Sequence, residues 1–584
     1  MNLLLKNRYF NVLTCLLLAG GIAQPVLAEE KTEDNASETA KGVLITSKSN
    51  KNKSVATAPL PAPIAPPVPS AVIVTKPEPA PAPEEDVLRF AIRNFTLDGA
   101  TLLSTQEISL TVAPYIGNSK DFSDVEKALE AIEALYAQKG YSAVHVLLPE
   151  QVLEQGDVHF HVIESHFGKI SVKNNKLIKF VSEQNALNSL PSVREGNAPM
   201  PKQIAKELKL ANENPARQLN VVLKAGEKDE EVDATVIVTD AKPDAWNINY
   251  DNSGTVETGR SRLGLSYRYA NLFDEDHVLT FQTQISPEHT DRVRVFNGSY
   301  KIPFYDTGDS AEFSAAYSNI NSLVGGLSNF QGGGIIFSSR YNHPLDKIGQ
   351  FDPRVSFGFD LRDFKPVQQT SLPVTVLYNE IIATPLSVAL GTQGKLAGAD
   401  ISLNASAAAN LPLLSKGRST DFEQYDLVNL SNPTPNYRVV RFGGNFLKSL
   451  SGDWQIRSTF NGQWSNNLLI QGEQMRLGGQ DGVRGFAEGS EGGERGVRGN
   501  IEYCTPVYPQ WQLNTRALIF YDAGQASTNA GANSAISSYG FGFRSAYSDY
   551  ITLRMDAGRI AKAGNDPQQQ KGDWRVHLGL SANF

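Results

Sequence analysis

From Trp246 to the last residue, Phe584, the chain is built of short stretches in which apolar and polar residues alternate. Turns rich in Gly, Asp, Asn and Ser separate them. Leu263, Leu265, Tyr267 and Tyr269 interleave with Arg262, Gly264, Ser266 and Arg268. Trp454, Ile456, Ser458, Phe460, Gly462 and Trp464 interleave with Gln455, Arg457, Thr459, Asn461 and Gln463. Successive side chains of a strand point to opposite faces, so each strand carries one greasy, aromatic face and one of charge and amide. That pattern fits a transmembrane antiparallel β-barrel, with lipid outside and water inside. A soluble β-sandwich has the same period with its apolar face turned inward. The arginines opposite the apolar face, the aromatic residues near strand ends and a secretory leader favour the barrel. At roughly 20 residues per strand with its turn, residues 245–584 hold about 16 strands, an even number as closure requires.

Composition narrows the partners. The formal net charge is −8 and charged residues make up 20%, so no general basic surface points to nucleic acid. Mean hydropathy is −0.28, and past residue 28 no apolar run approaches the ~20 residues of a membrane helix. A barrel is still permitted, because only alternate residues face lipid. There are two cysteines, Cys15 and Cys504. The first leaves with the leader, which excludes an internal disulfide and a paired-cysteine zinc site from the mature chain.

Residues 1–28 form the leader: Lys6 and Arg8, the apolar Val12–Ala19, then Val26-Leu27-Ala28 as a cleavage site. Residues 29–86 are a low-complexity linker. Pro59–Pro83 holds ten prolines, which favours extended polyproline chain reaching roughly 75 Å at ~3.1 Å per residue.

Residues 87–165 predict a compact α/β unit. Phe90 and Ile92, then Phe95 and Leu97, predict a strand closing at Asp98-Gly99. Ser104-x-x-Glu107 and Ser123-x-x-Glu126 predict two capped helices, the second stopping at Gly140. Strands follow at Ala143–Leu148 and Val158–Ile163. His159 and His161 share a strand face, but no carboxylate or cysteine spacing nearby supports a metal site, and we read them as solvated histidines. The order strand–helix–helix–strand–strand, with GYSAVHVLLPEQVLEQGDV, resembles a POTRA domain, a periplasmic polypeptide-transport module. Tyr141 and Leu148-Pro149-Glu150-Gln151 resemble the elements of the two-partner secretion transporters in particular.

Residues 166–241 repeat the pattern more faintly. Strands are predicted at Lys169–Val172, Leu219–Leu223 and Val232–Val238, with helices at Ile178–Leu187 and Pro201–Ala211. We read this as a second POTRA domain, with the barrel occupying 242–584. POTRA domains resemble one another in holding an unfolded client by strand addition.

Two constellations lie in the barrel. Leu477–Phe486, reading LGGQDGVRGF, surrounds one cation with four glycines, a tightly folded loop that also suits an ordinary surface hairpin. Val483, Arg484, Gly485 and Phe486 in this setting resemble the loop that folds back into the lumen of outer-membrane assembly and secretion pores. The second is Phe520-Tyr521-Asp522-Ala523-Gly524. Asp522 shares a strand face with Phe520, Leu518 and Arg516, while Ile519 and Tyr521 point the other way. An inward carboxylate can meet an inward-folded Arg484, although Asp-x-Gly also suits a strand-end turn. The resemblance implies that Phe520, Asp522 and Gly524 partner the VRGF loop, with Arg484 and Asp522 paired in a wet lumen. The last strand, DWRVHLGLSANF, places Trp574, Val576, Leu578, Leu580, Ala582 and Phe584 on one face. A terminal phenylalanine so placed resembles the signal read by the barrel-assembly machinery, though a sandwich strand can end the same way.

Residues 87–584 together resemble a TpsB-type transporter, the outer-membrane pore of two-partner secretion (type V secretion). The resemblance implies an outer-membrane protein of a Gram-negative cell that exports a TpsA-type exoprotein of the adhesin or haemolysin class. It needs no cofactor. The family often carries an N-terminal helix that plugs the pore, and residues 29–58 hold no amphipathic run beyond Val43–Ile45. Three other classes compete. An outer-membrane insertase shares VRGF but usually has more POTRA domains and lacks LPEQ. A passive porin needs no periplasmic domains. An enzyme lacks support, since neither Gly-x-Ser-x-Gly nor His-Glu-x-x-His is present. No Walker loop appears either, so export driven by nucleotide hydrolysis is not expected.

Overall fold

The computed structural model describes residues 88–584 apart from 153–155, 175–179, 229, 257, 320–332, 370–374, 427–431, 511 and 549. The leader and the proline-rich linker lie outside the described residues, as does Ile178.

The first unit opens with two strands where one was predicted, β1 (Phe90–Ile92) and β2 (Asn94–Asp98), followed by α1 (Thr105–Val112). Then come β3 (Gly117–Lys120), α2 (Phe122–Lys139), β4 (Val144–Leu147) and β5 (Asp157–Glu164). The first pair splits because β1 turns aside to pair with β3, whereas β2 runs parallel to β5. Ser104 and Glu107 cap α1 reciprocally, as predicted. The second cap is different: Asp121 and Asp124 make the reciprocal box, and Ser123 falls inside the first turn. Both pairs have cap chemistry, and the carboxylate nearer the preceding strand takes the position. The helix stops at Gly140, whose φ of +101° suits glycine. Val125, Ala128, Ile132 and Tyr136 of α2 are buried against Phe95, Val158 and Phe160 of the sheet.

The second unit has β6 (His166–Asn174), α3 (Glu183–Asn188), α4 (Pro201–Ala211), β7 (Arg217–Ala225) and β8 (Glu231–Asp240). Its sheet order, β6-β8-β7, with β6 parallel and β7 antiparallel to β8, repeats β2-β5-β4 of the first unit. α3 starts later than predicted because Ser182 caps it, accepting from Asn185 N.

From β9 (Asp244–Asp251) to β24 (Trp574–Asn583), sixteen long antiparallel strands close into a barrel. Phe296, Phe357, Leu390, Ile519, Tyr521 and Val576 are exposed on the outer wall, while Asn297, Asp360, Arg362, Asp522 and His577 are buried inside. This is the alternation seen in the sequence, apolar outward. Paired rings sit near strand ends, Trp246 on Tyr267 (4.5 Å) and Trp454 on Tyr503 (4.9 Å). The seam closes β24 against β9 from Gly579↔Asp251 to Asn583↔Asn247. Phe584 continues it, since its N–H donates to Trp246 O and its carbonyl accepts from Trp246 N (2.9 and 3.1 Å).

The second unit is docked on the adjacent barrel turns. Arg217 of β7 pairs with Asp276, and both side chains are fully enclosed. Tyr305 OH (2.7 Å) and Ser189 Oγ (3.1 Å) also donate to Asp276. Asn214 Nδ2 donates to Ala270 O (2.6 Å), and Glu213 pairs with Lys301 (2.6 Å) and with Arg354.

Candidate functional site

Between β19 (Gln455–Trp464) and β20 (Arg495–Cys504) the chain leaves the wall and enters the lumen. A short stem pairs Met475 with Gly493 and Arg476 with Gly492. Beyond the stem the glycine loop folds on itself: Val483 N–H donates to Leu477 O (2.8 Å) and Gly479 N–H to Val483 O (3.2 Å). Gly482 is required there, since a Cβ would lie 2.2 Å from Leu477 O. Leu477, Val483 and Phe486 are buried on Ala526, Ile536 and Ile560 of the wall.

That fold delivers Arg484 to β21 (Leu513–Ser527). Its Nε donates to Asp522 Oδ2 and its Nη2 to Asp522 Oδ1, both at 2.7 Å, a two-point contact of planar fork and carboxylate. Its backbone N–H adds a third bond to Asp522 (2.9 Å). Nη1 reaches Glu502 of β20 (2.6 Å) and Asp556 of β23 (Ile551–Lys562) at 3.4 Å. The guanidinium also lies over the Phe520 ring, 3.5 Å from its centre. Arg544 Nη1 and Arg554 Nε each donate to Asp556 at 2.8 Å, so three arginines face three carboxylates. The Arg484 and Asp522 side chains are 2% and 0% exposed. The expected wet pair is in fact enclosed, because the folded loop itself excludes solvent from the wall.

Sequence reasoning missed the groups around this contact. Glu502, Asp556, Arg554 and His577 all point into the lumen, and the alternation of their strands carried that signal. Gly485 (φ +93°) donates its N–H to His577 Nε2 (3.2 Å). Gly558 of β23 is needed where the loop meets the wall, since a Cβ there would lie 2.8 Å from Gly485 N. Gly524 lies under the same loop; its added Cβ would meet Leu477 and Val483 side chains at 3.2 and 3.3 Å.

The remaining predicted residues lie apart from the loop. Tyr141 packs on the first unit's core beside Tyr136, and Leu148 packs there too. Gln151 pairs with a strand backbone: its Nε2 donates to His159 O and its Oε1 accepts from His159 N, both 2.7 Å. Pro149 O accepts from the same amide (3.3 Å), so Leu148–Gln151 is a turn tied to β5. His159 Nδ1 meets Thr96 Oγ1. Phe584 is exposed on the outer face of the seam.

Residues 232–334 and 380–545 match the family described as haemolysin secretion/activation protein ShlB/FhaC/HecB, and residues 90–165 match the ShlB-type POTRA domain. The chain belongs to this family of TpsB-type transporters. The heme/hemopexin transporter protein HuxB of Haemophilus influenzae is 22% identical over 431 residues, covering 72% of this chain and 73% of that protein. The outer membrane transporter CdiB of Dickeya dadantii is 23% identical over 446 residues, 73% of each. The solved structure of CdiB from Escherichia coli superposes with a TM-score of 0.65 at 17% identity, covering 87% of this chain and 93% of that one. The likeness in structure is one of fold. The transporter is therefore an outer-membrane barrel of the two-partner secretion class, with its POTRA domain in the periplasm. Its relatives are transporters rather than enzymes.

Proposed function

We propose that this transporter captures one TpsA-type exoprotein, of the adhesin or haemolysin class, as unfolded chain in the periplasm and conducts it through the barrel. The first POTRA domain supplies a sheet for strand addition, in which main-chain bonds give affinity with loose sequence demands. Residues 166–241 act as a second POTRA domain, a reading supported by the repeated strand order. Folding of the client outside supplies the free energy, and no nucleotide is hydrolysed. Phe584, exposed at the end of the closing strand, serves as the signal to the barrel-assembly machinery, and the apolar outer band contacts outer-membrane lipid. No cofactor takes part.

The observation that carries this reading is the enclosed contact of Arg484 with Asp522. It pins a loop in the path a chain must take, and lysine cannot copy its two-point geometry. Removing one partner of such an enclosed pair costs about 3–5 kcal/mol, much of it from the charge left behind. Arg484→Ala should cut export of the TpsA-type exoprotein at least ten-fold with the barrel still inserted, and Arg484→Lys should cut it less. Asp522→Ala should resemble Arg484→Ala, and the double variant should be little worse than either. Normal export by Arg484→Ala would remove the loop from the mechanism.

A further inference from the structure

The lumen loop has a second charged attachment, 11 residues before Arg484 and on a different part of the wall. Glu473 is 2% exposed. Its Oε1 accepts from Arg362 Nη1 (2.5 Å) and Tyr437 OH (3.0 Å), and its Oε2 from Arg441 Nη2 (2.7 Å). Arg362 belongs to β15 (Phe351–Phe364) and Arg441 to β18 (Arg438–Ser449), with two barrel strands between them. Both lie near the ends of their strands at the extracellular mouth, whereas Asp522 and Asp556 sit midway along theirs. Asp360 backs Arg362 (2.6 Å) and in turn holds Arg340 (2.5 Å). The backbone is held as well: Glu473 O accepts from Gln463 Nε2 (2.8 Å) and Arg441 Nη2 (3.2 Å).

We propose that Glu473 is a positioning residue that fixes the root of the lumen loop, so that the loop leaves the lumen only when root and tip both let go. This rests on the reading that the loop governs passage. With Glu473 held and the 475–493 stem paired, a tip freed from Asp522 swings on an arm of about ten residues, at most ~35 Å long. With both ends free, the whole stretch 465–494 becomes a tether to the wall. At the tip Arg484 meets wall carboxylates while Asp481 meets Arg554 (2.8 Å), and at the root Glu473 meets wall arginines.

The test uses the full chain in outer membranes, in a Cys504→Ser background. Spin labels go on Gln480→Cys at the loop tip and Ala530→Cys on an extracellular turn, and their separation is measured by pulsed electron resonance. Arg362→Gln with Glu473→Gln removes the carboxylate and one of its two arginines together. Arg441 keeps its bonds to Gln463 Oε1 (2.8 Å) and to the residue 473 carbonyl. Each site disabled alone should leave the mean distance in place, Arg484→Ala broadening it. Disabling both should move the main population by ~10 Å or more and raise bilayer conductance at least about two-fold above either variant. The proposal is overturned if Arg484→Ala alone displaces the tip as far as the combination, or if the root variant alone does. Should the neutral root pair fail to assemble, judged by heat-resistant migration, Tyr437→Phe with Arg484→Ala takes its place. A smaller shift beyond Arg484→Ala is then expected, and none would overturn the proposal. Export in the same strains tests the loop's role separately: a displaced tip with normal export would sink that role and leave the anchor standing.

Discussion

The two units that precede the barrel share a strand order and differ in how they join the rest of the molecule. Among the described residues, no hydrogen bond or ion pair joins the first unit to the barrel; its bonds, such as Thr101 to Glu164 and Lys139 to Glu107, close within it. The second unit spends its charges outward, with Arg217 on Asp276 and Glu213 on Lys301 and Arg354. Lys206 and Lys209 add Asp346 (3.3 Å) and Asp352 (3.0 Å). One fold thus serves two mechanical tasks, decided by where a few long side chains point. The second unit is tied to the barrel by these charged pairs, whereas the bonds of the first unit close within it.

The largest expected effect follows from that division. Deleting residues 87–165 should abolish export while the barrel remains in the membrane, because capture needs a sheet edge that the closed barrel lacks. Undiminished secretion by this truncation would erase the distinction. The next effect is on the second unit. Arg217→Ala leaves Asp276 enclosed among neutral donors such as Tyr305, Ser189 and Asn214, at a cost of about 3–5 kcal/mol. Protease sensitivity of the second unit should rise ten-fold or more, with heat-resistant migration of the barrel unchanged. If the unit stayed equally protected, the docking would rest on its apolar contacts instead.

How legible all this is in the sequence depends on range. Period-two alternation reports each strand's faces locally, so the barrel, its strand number and the inward aim of Asp522 were readable. Pro201–Ala211 was readable to the residue because proline starts it. Contacts between elements were not. Arg217 meets a residue 59 positions on and Arg362 one 111 positions on, and nothing in either neighbourhood names the partner. Alternation places Asp522 inward without pointing to Arg484; only the resemblance joined them. The enclosure of that contact escaped for a related reason, since whether a lumen is wet depends on what fills it. Cap chemistry misled at α2 because Asp121 and Ser123 are both good caps two residues apart.

The smallest predicted effect contrasts the two units once more, through one glutamate in each. Glu164 of β5 accepts from Thr101 N (2.9 Å), Thr101 Oγ1 (2.5 Å), Leu102 N (3.0 Å) and Tyr136 OH (2.7 Å). Burial opposes its ionisation, but these donors outweigh burial and hold the carboxyl below its ordinary range. Glu207 of α4 is almost fully buried and accepts from Ser192 Oγ (2.7 Å) and Gln203 Nε2 (3.0 Å). There burial prevails, with Asp306 of a barrel turn adding repulsion, and the carboxyl is raised. The linkage signs are opposite. A depressed carboxyl stabilises the fold above its unfolded value of about 4.3 and loses that contribution as pH falls through the folded value. A raised carboxyl stabilises fully below about 4.3 and loses its contribution as pH rises through the folded value. Amide exchange of the full chain between pH 3.5 and 6.5, each variant set against the parent, should therefore show the Glu164 contribution to first-unit protection rising with pH and the Glu207 contribution to second-unit protection falling. Glu164→Gln should flatten the first trend and Glu207→Gln the second. If both contributions moved in the same direction, a general charge effect would be at work, and the contrast between these two glutamates would not hold.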